Sequence, residues 1–258
     1  MGNVSITYST DNGTNYTGTV VASVDSGSPF SYNWPSVDNV MAGNPAQRFD
    51  KMKIRVAAVN DLNNTKDDSD NPFYIVPKIS ITRPDILNRT FYVQDNESIT
   101  WATNGTLDKT NIFYSSNDGT NWAQIADNEL NDGNYTWPVP NSVGNTSRLR
   151  VGSYYDNTTP EARDVSLNFT IKQKIVMLYP VGGESLAVGS SSQIQWEPRG
   201  TIGSVNITYS NDSGLNFNTT VAANVSANYF NWTVPDQMGI NASKIRVTSE
   251  VYPDINNT

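Results

Sequence analysis

Four short phrases recur in one order along this chain, and that repetition limits the fold more than any other feature. Ile54-Arg55-Val56 returns as Leu149-Arg150-Val151 and as Ile245-Arg246-Val247, at spacings of 95 and 96 residues. Tyr32-Asn33-Trp34-Pro35 returns as Tyr135-Thr136-Trp137-Pro138 and Phe230-Asn231-Trp232-Thr233. Ser98-Ile99-Thr100-Trp101 returns as Gln193-Ile194-Gln195-Trp196, and Ile6-Thr7-Tyr8-Ser9 as Ile112-Phe113-Tyr114-Ser115 and Ile207-Thr208-Tyr209-Ser210. A unit of about 95 residues has the size of a two-sheet immunoglobulin-type sandwich.

Within the second unit, apolar and polar residues alternate with period two over 79–83, 90–93, 98–102, 111–116, 122–126, 133–138, 148–155 and 165–171. Gly, Asn, Asp and Pro punctuate these runs, which predicts seven or eight short strands and no helix. The fold class expected is all-β: tandem immunoglobulin-like antiparallel sandwiches, the first and last incomplete. Linkers near 76–78 and 172–174 divide the chain into 1–77, a partial repeat lacking its first strands, 78–173, a complete repeat, and 174–258, a repeat lacking its last strand. Such open ends are expected of a fragment of a longer array, or of subunits that complete one another by donating strands. Met1-Gly2 runs straight into a strand-like stretch, with no export signal recognisable in front of it.

Composition narrows the chemistry. The chain has no His and no Cys, which removes the commonest general base, thiolate catalysis and the usual metal ligands. A net charge of −8 disfavours binding to nucleic acid or to anionic lipid. No apolar run approaches the roughly 18 residues of a membrane span. No carboxylate pair stands apart from the turn and loop Asp residues as an acid–base couple would. The expectation is a non-enzyme with no cofactor and no metal site.

Asn is the compositional anomaly. With 33 Asn and 51 Ser plus Thr, chance placement gives roughly 6 to 7 Asn-x-Ser/Thr sequons. The chain has 18: Asn3, Asn12, Asn15, Asn63, Asn88, Asn96, Asn104, Asn134, Asn145, Asn157, Asn168, Asn206, Asn211, Asn218, Asn224, Asn231, Asn241 and Asn256. This excess points to N-glycosylation and therefore to export. Strand alternation sets Asn206 and Thr208 opposite Val205, Ile207 and Tyr209. It likewise sets Asn3, Ser5 and Thr7 opposite Val4, Ile6 and Tyr8. Asn168 and Thr170 are expected opposite Val165, Leu167, Phe169 and Ile171. Sequons on outward strand faces would let glycans cover the sheets themselves.

Ser9-Thr10-Asp11-Asn12-Gly13-Thr14-Asn15-Tyr16 fits the pattern Ser-x-Asp-x-Gly-x-x-aromatic. Ser115 to Trp122 and Ser210 to Phe217 repeat it, with Asn117 in the Asp position of the second copy. The pattern resembles the Asp-box of sialidases and other β-propellers, where it is a structural hairpin turn remote from the active site. Pro180-Val181-Gly182-Gly183-Glu184, then Gly189 and Ile194-Gln195-Trp196, looks like the opening of the immunoglobulin-like, or fibronectin III-like, repeats of prokaryotic surface and secreted proteins. The second unit keeps Pro84 and Ile99-Thr100-Trp101 but not the Gly-Gly-Glu. This resemblance implies spacers, adhesive stalks or fibre modules.

Trp101 and Trp196 are expected on one core strand, and Trp34, Trp137 and Trp232 on another. Trp122 is the candidate for an exposed sugar-stacking ring. Asp67-Asp68-Ser69-Asp70 is the one dense acidic cluster. It lacks the Gly and distal Glu of an EF-hand and reads as a solvated loop. The functional expectation is a structural segment of a glycosylated extracellular or cell-surface fibre, stalk or layer. Its partners would be copies of itself in a linear or helical assembly and covalent N-glycans. An adhesin or carbohydrate-binding accessory module is the alternative.

Overall fold

The computed structural model describes residues 2–25, 27, 31–34, 49–154, 162–236 and 243–258. The sequons Asn157 and Asn241, Pro35 of the Tyr-Asn-Trp-Pro phrase and position 155 of the expected 148–155 strand lie outside the described residues. Those residues form 21 strands and no helix. The chain is an all-β array of tandem antiparallel sandwiches.

The first stretch gives one sheet. β1 (Asn3–Ser9), β2 (Gly18–Asp25), β3 (Phe49–Ala58) and β4 (Lys66–Asp68) lie in the order β2-β1-β3-β4, and β5 (Phe73–Ile75) also pairs with β3. Cross-strand pairs Ile6↔Val56 and Tyr8↔Ile54 gather the apolar side chains on one face. No second sheet covers that face among the described residues. Val56 is therefore 39% exposed, although its counterparts Val151 and Val247 are at 0%. Val4, Ile6, Val20, Val24, Trp34 and Ile54 line a cavity of about 380 Å³ over this face. The alternation expected for β1 is corrected here. Ser5 is buried, with its hydroxyl directed to the Ala57 carbonyl oxygen at 3.4 Å. Val4 and Ile6 are only half-buried, since no second sheet lies over their side among the described residues.

The central stretch is a full sandwich. Its strands are β6 (Lys78–Arg83), β7 (Arg89–Tyr92), β8 (Asn96–Asn104), β9 (Lys109–Ser115), β10 (Ala123–Leu130), β11 (Asn134–Pro138), β12 (Gly144–Ser153), β13 (Arg163–Val165) and β14 (Phe169–Lys172). One sheet runs β11-β8-β6. The other runs β10-β9-β12-β14-β7, with β13 also on β12. Ile99 and Trp101 of the first sheet meet Ile112, Leu149, Val151, Phe169 and Ile171 of the second in one core. Trp137 sits among Phe91, Phe169 and Tyr114, at ring-centroid distances of 6.1, 5.9 and 5.5 Å. Most of these contacts are edge-on or tilted, the arrangement ring quadrupoles favour.

The run 165–171 is not one strand. The chain leaves β12 after Val165 and rejoins it at Phe169. In between, Ser166 turns inward and its hydroxyl oxygen accepts the Leu149 N–H at 2.9 Å. That break shifts the alternation by one residue. Leu167 is 50% exposed, and the Asn168 side chain is half-buried instead of facing outward.

The third stretch comprises β15 (Lys174–Tyr179), β16 (Ser191–Arg199), β17 (Val205–Ser210), β18 (Thr219–Val225), β19 (Tyr229–Thr233), β20 (Lys244–Ser249) and β21 (Asn256–Asn257). Sheet β15-β16-β19 packs on sheet β18-β17-β20-β21 through Ile194, Trp196, Ile207, Tyr209 and Val247. The central and third sandwiches touch where Gln173 joins β14 to β15. There the Asp95 carboxylate takes Lys174 Nζ at 2.6 Å and Arg199 Nη1 at 2.7 Å.

Candidate functional site

Each unit carries the same turn after its Ile-x-Tyr-Ser strand. The Ser9 hydroxyl donates to Asp11 Oδ1 at 2.6 Å and accepts the Gly13 N–H at 2.8 Å. Asp11 in turn accepts the Asn15 N–H on Oδ1 at 2.8 Å and Asn15 Nδ2 on Oδ2 at 2.7 Å. Ser210, Asp212, Gly214 and Asn216 repeat the four bonds at 2.6, 2.9, 2.9 and 2.7 Å. The serines are buried, which fixes the hydroxyl as the pivot of the turn. Gly13, Gly119 and Gly214 take φ of 87°, 82° and 86°, a region costly for other residues. The carboxyls of Asp11 and Asp212 fall to about 2, first through the serine hydroxyl and then through the asparagine donors.

In the central unit Asn117 substitutes for Asp. Ser115 and the Asn121 N–H still meet Asn117 Oδ1, both at 2.9 Å. The fourth bond is absent among the described contacts, since one amide NH₂ cannot accept from another. A different pair braces this turn: Arg148 Nε donates to Asp118 Oδ1 at 2.5 Å.

The structure joins two motifs that the sequence presents separately. The Arg of each Ile/Leu-Arg-Val phrase lies over the aromatic that closes the turn. Arg55 stands 3.7 Å above the Tyr16 ring, Arg246 3.7 Å above Phe217, and Arg150 4.8 Å above Trp122 and 4.1 Å above Phe113. These are cation–π contacts on the sheet surface. Trp122 is half-buried, with Arg150 over one face of its ring. The signal available in sequence was a charged residue held at one position in three apolar strands. Trp101, Trp137 and Trp196 are core residues at 4%, 2% and 2% exposure.

The acidic cluster is committed internally. Asp68 makes a two-point bond to Arg55, at 2.6 and 2.9 Å, and this holds its carboxyl below the usual range. Asp67 accepts the Asp68 N–H, and the Asp70 carbonyl accepts Lys53 Nζ. Among the described residues no group of three or more acidic side chains is arranged to hold a metal ion, and no helix is long and apolar enough to cross a membrane.

The sequons spread over both sheets and the loops. Asn3, Asn96, Asn104, Asn134, Asn145, Asn224, Asn231 and Asn256 are exposed on strands, and Asn12, Asn15, Asn63, Asn88, Asn211 and Asn218 are exposed in turns and connections. Asn168 and Asn206 are half-buried. Asn168 Oδ1 is sealed from solvent with no partner among the described residues. Asn206 Oδ1 accepts the Asn224 N–H at 3.0 Å, pinning a residue at φ 55°.

No family model and no curated protein matches the chain. A solved structure of fibronectin(III)-like modules of Clostridium thermocellum CbhA is similar at 11% identity and a TM-score of 0.25, covering 70% of this chain and 89% of that one. The fold assignment rests on the strand topology described above. That topology is of the immunoglobulin-like, fibronectin III-like kind: an all-β chain of repeated sandwiches.

Proposed function

We propose that this chain is a non-catalytic structural segment of a heavily N-glycosylated extracellular fibre, stalk or surface layer. Three modules in series, 1–77, 78–173 and 174–258, would assemble end to end with copies of the same chain. The observation that carries this reading is the sequon excess, 18 where about 6 to 7 are expected.

Supporting features come from the fold. Tandem modules spread load over neighbour contacts, and Asp95 with Lys174 and Arg199 stiffens one such junction. Sugars on Asn96, Asn104, Asn134 and Asn231 would shield the sheet formed by β8 and β11 and its counterpart on β19. The turns would serve as structural hairpins in the manner of Asp-boxes, and the repeats as modules of the prokaryotic surface-protein kind.

The test is mass measurement and cryo-EM on natively sourced material. The expected result is a mass well above the bare 28.4 kDa of these residues, sugar density at exposed sequons, and elongated particles. A bare mass together with compact isolated particles would overturn the proposal.

A further inference from the structure

The three Arg–aromatic stacks differ in what the edge of the guanidinium meets. In the first unit Arg55 and Asp68 are cross-strand partners. Arg55 keeps its flat face on the Tyr16 ring at 3.7 Å and gives Nε and Nη2 to the two Asp68 oxygens at 2.6 and 2.9 Å. A stacked guanidinium thus holds a carboxylate by its in-plane fork, the geometry that matches the two groups best. In the third unit Arg246 Nε donates to Thr258 Oγ1 at 3.4 Å.

The central unit departs from both. The partner of Arg150 on β13 is Val165, where the first unit has Asp68. Among the described residues no carboxylate meets the half-buried Arg150 guanidinium. Its charged neighbour is a second cation, the exposed Arg163 two residues away on β13; burial and, after it, this like charge lower the Arg150 pKa. Phe113 stands opposite Arg150, where Thr7 and Thr208 stand opposite Arg55 and Arg246. Two rings, Phe113 at 4.1 Å and Trp122 at 4.8 Å, therefore hold this guanidinium in place. Its N–H edge is a preorganised carboxylate site. The same face lacks sequons. The β1–β2 hairpin carries Asn3, Asn12 and Asn15, and the β17–β18 hairpin carries Asn206, Asn211, Asn218 and Asn224. The β9–β10 hairpin, beside β12, carries none, since no sequon falls between Asn104 and Asn134.

We infer that the outer face of β9, β12 and β13 in the central sandwich is a docking site for an acidic peptide segment, whose carboxylate Arg150 takes as Arg55 takes Asp68. A side-chain carboxylate is the group that the chain itself places in such a fork, and this favours a peptide over a saccharide. Arg163 adds a second positive charge, so segments with neighbouring acidic residues are preferred. Sugars on the other faces would leave this one open to a macromolecule. The inference goes beyond the structural role proposed above and rests on that reading only for those sugars.

The test titrates the full 258-residue chain, isotope-labelled and made without sugar, with a synthetic peptide of residues 64–70, followed by NMR. The Arg150 Nε–H and Trp122 indole N–H resonances are expected to shift saturably. The Arg55 Nε–H, already bound to Asp68, is expected to stay still. The dissociation constant is expected to rise about tenfold or more on Arg150→Gln, and as much on Arg150→Lys, which keeps the charge and loses the fork. Lys78→Gln, an equal change of charge at an exposed position, leaves binding unchanged. The same peptide with Asn in place of Asp67, Asp68 and Asp70 is expected not to bind, a control that does not depend on the folding of any variant. Absence of saturable shifts overturns the inference, and so does equal binding by the Asn peptide or to the Arg150→Gln chain. Glucuronate moving the same resonances at a lower concentration than the peptide would assign the site to an acidic sugar and overturn the peptide. The chain titrated carries no sugar, so failure here leaves the glycosylated structural role standing.

Discussion

Asp95 of the central sandwich and Arg199 of the third, far apart in sequence, meet through a 2.7 Å bond from Nη1 to Oδ1. Lys174, at the start of β15, reaches the same carboxylate, and its ammonium also lies 5.4 Å from the Tyr92 ring. Beside them Gly200, at φ 90°, packs so closely that a Cβ would sit 2.8 Å from Gln173 Cβ. One carboxylate thus bridges two cations at the junction between the modules. Partly exposed ion pairs contribute only about 1 kcal/mol to stability, so losing this cluster is expected to show in the junction and not in the fold. Asp95→Ala is expected to broaden the distance distribution between spin labels at Thr120 and Leu215 while shifting stability by about 1 kcal/mol or less. An unchanged distribution would show that apolar packing alone fixes the junction.

Acid should open two turns and spare the third. Asp11 and Asp212 sit at about 2 against an ordinary 3.8. A carboxyl depressed in the folded state stabilises it fully above the unfolded value, and that contribution is lost as pH falls through the folded value. The window runs from about pH 4 down to about pH 2. Asn117 does not titrate. Amide resonances of Asn15 and Asn216 are expected to move across this window and that of Asn121 to stay still. Equal movement of all three would refute the assignment.

The repeated Trp residues should differ in value. Trp137→Ala removes a ring that is 2% exposed among three aromatics, and a loss of about 3–5 kcal/mol is expected. Trp232→Ala, at a ring only partly buried against its core, is expected to cost under about 3 kcal/mol. Denaturant midpoints of the two variants decide the order.

Glycopeptide mass spectrometry of native material is expected to find sugar at exposed strand sequons such as Asn96, Asn134 and Asn231, and least at Asn168. Its Oδ1 is sealed beside the core residue Phe169, so a glycosylated side chain there must be pulled out of the sandwich. Full occupancy of Asn168 would mean that modification precedes folding and reshapes the β13–β14 connection.

The β architecture was legible because the alternation of β8 and β17 is local and unbroken. The turns were legible because their bonds join residues no more than four apart. The repeats were legible by self-comparison alone. Leu167 was misplaced because a period-two pattern assumes an unbroken strand, and Ser166 breaks it. Ser5 was misplaced because the pattern assumes one covered face, whereas Ser5 and its cross-strand partner Ala57 are both buried.

By itself the sequence determined the class of fold, the spacing of the repeated phrases, the turn chemistry and the sequon excess. Each follows from neighbours along the chain or from counting. Tertiary structure decided the Arg–aromatic stacks and the Asp95 junction. These depend on which strands lie side by side, and the pairing of β14 with β7 links residues 80 apart. Pairing at that distance is set by sheet closure and core packing, which a linear pattern does not encode.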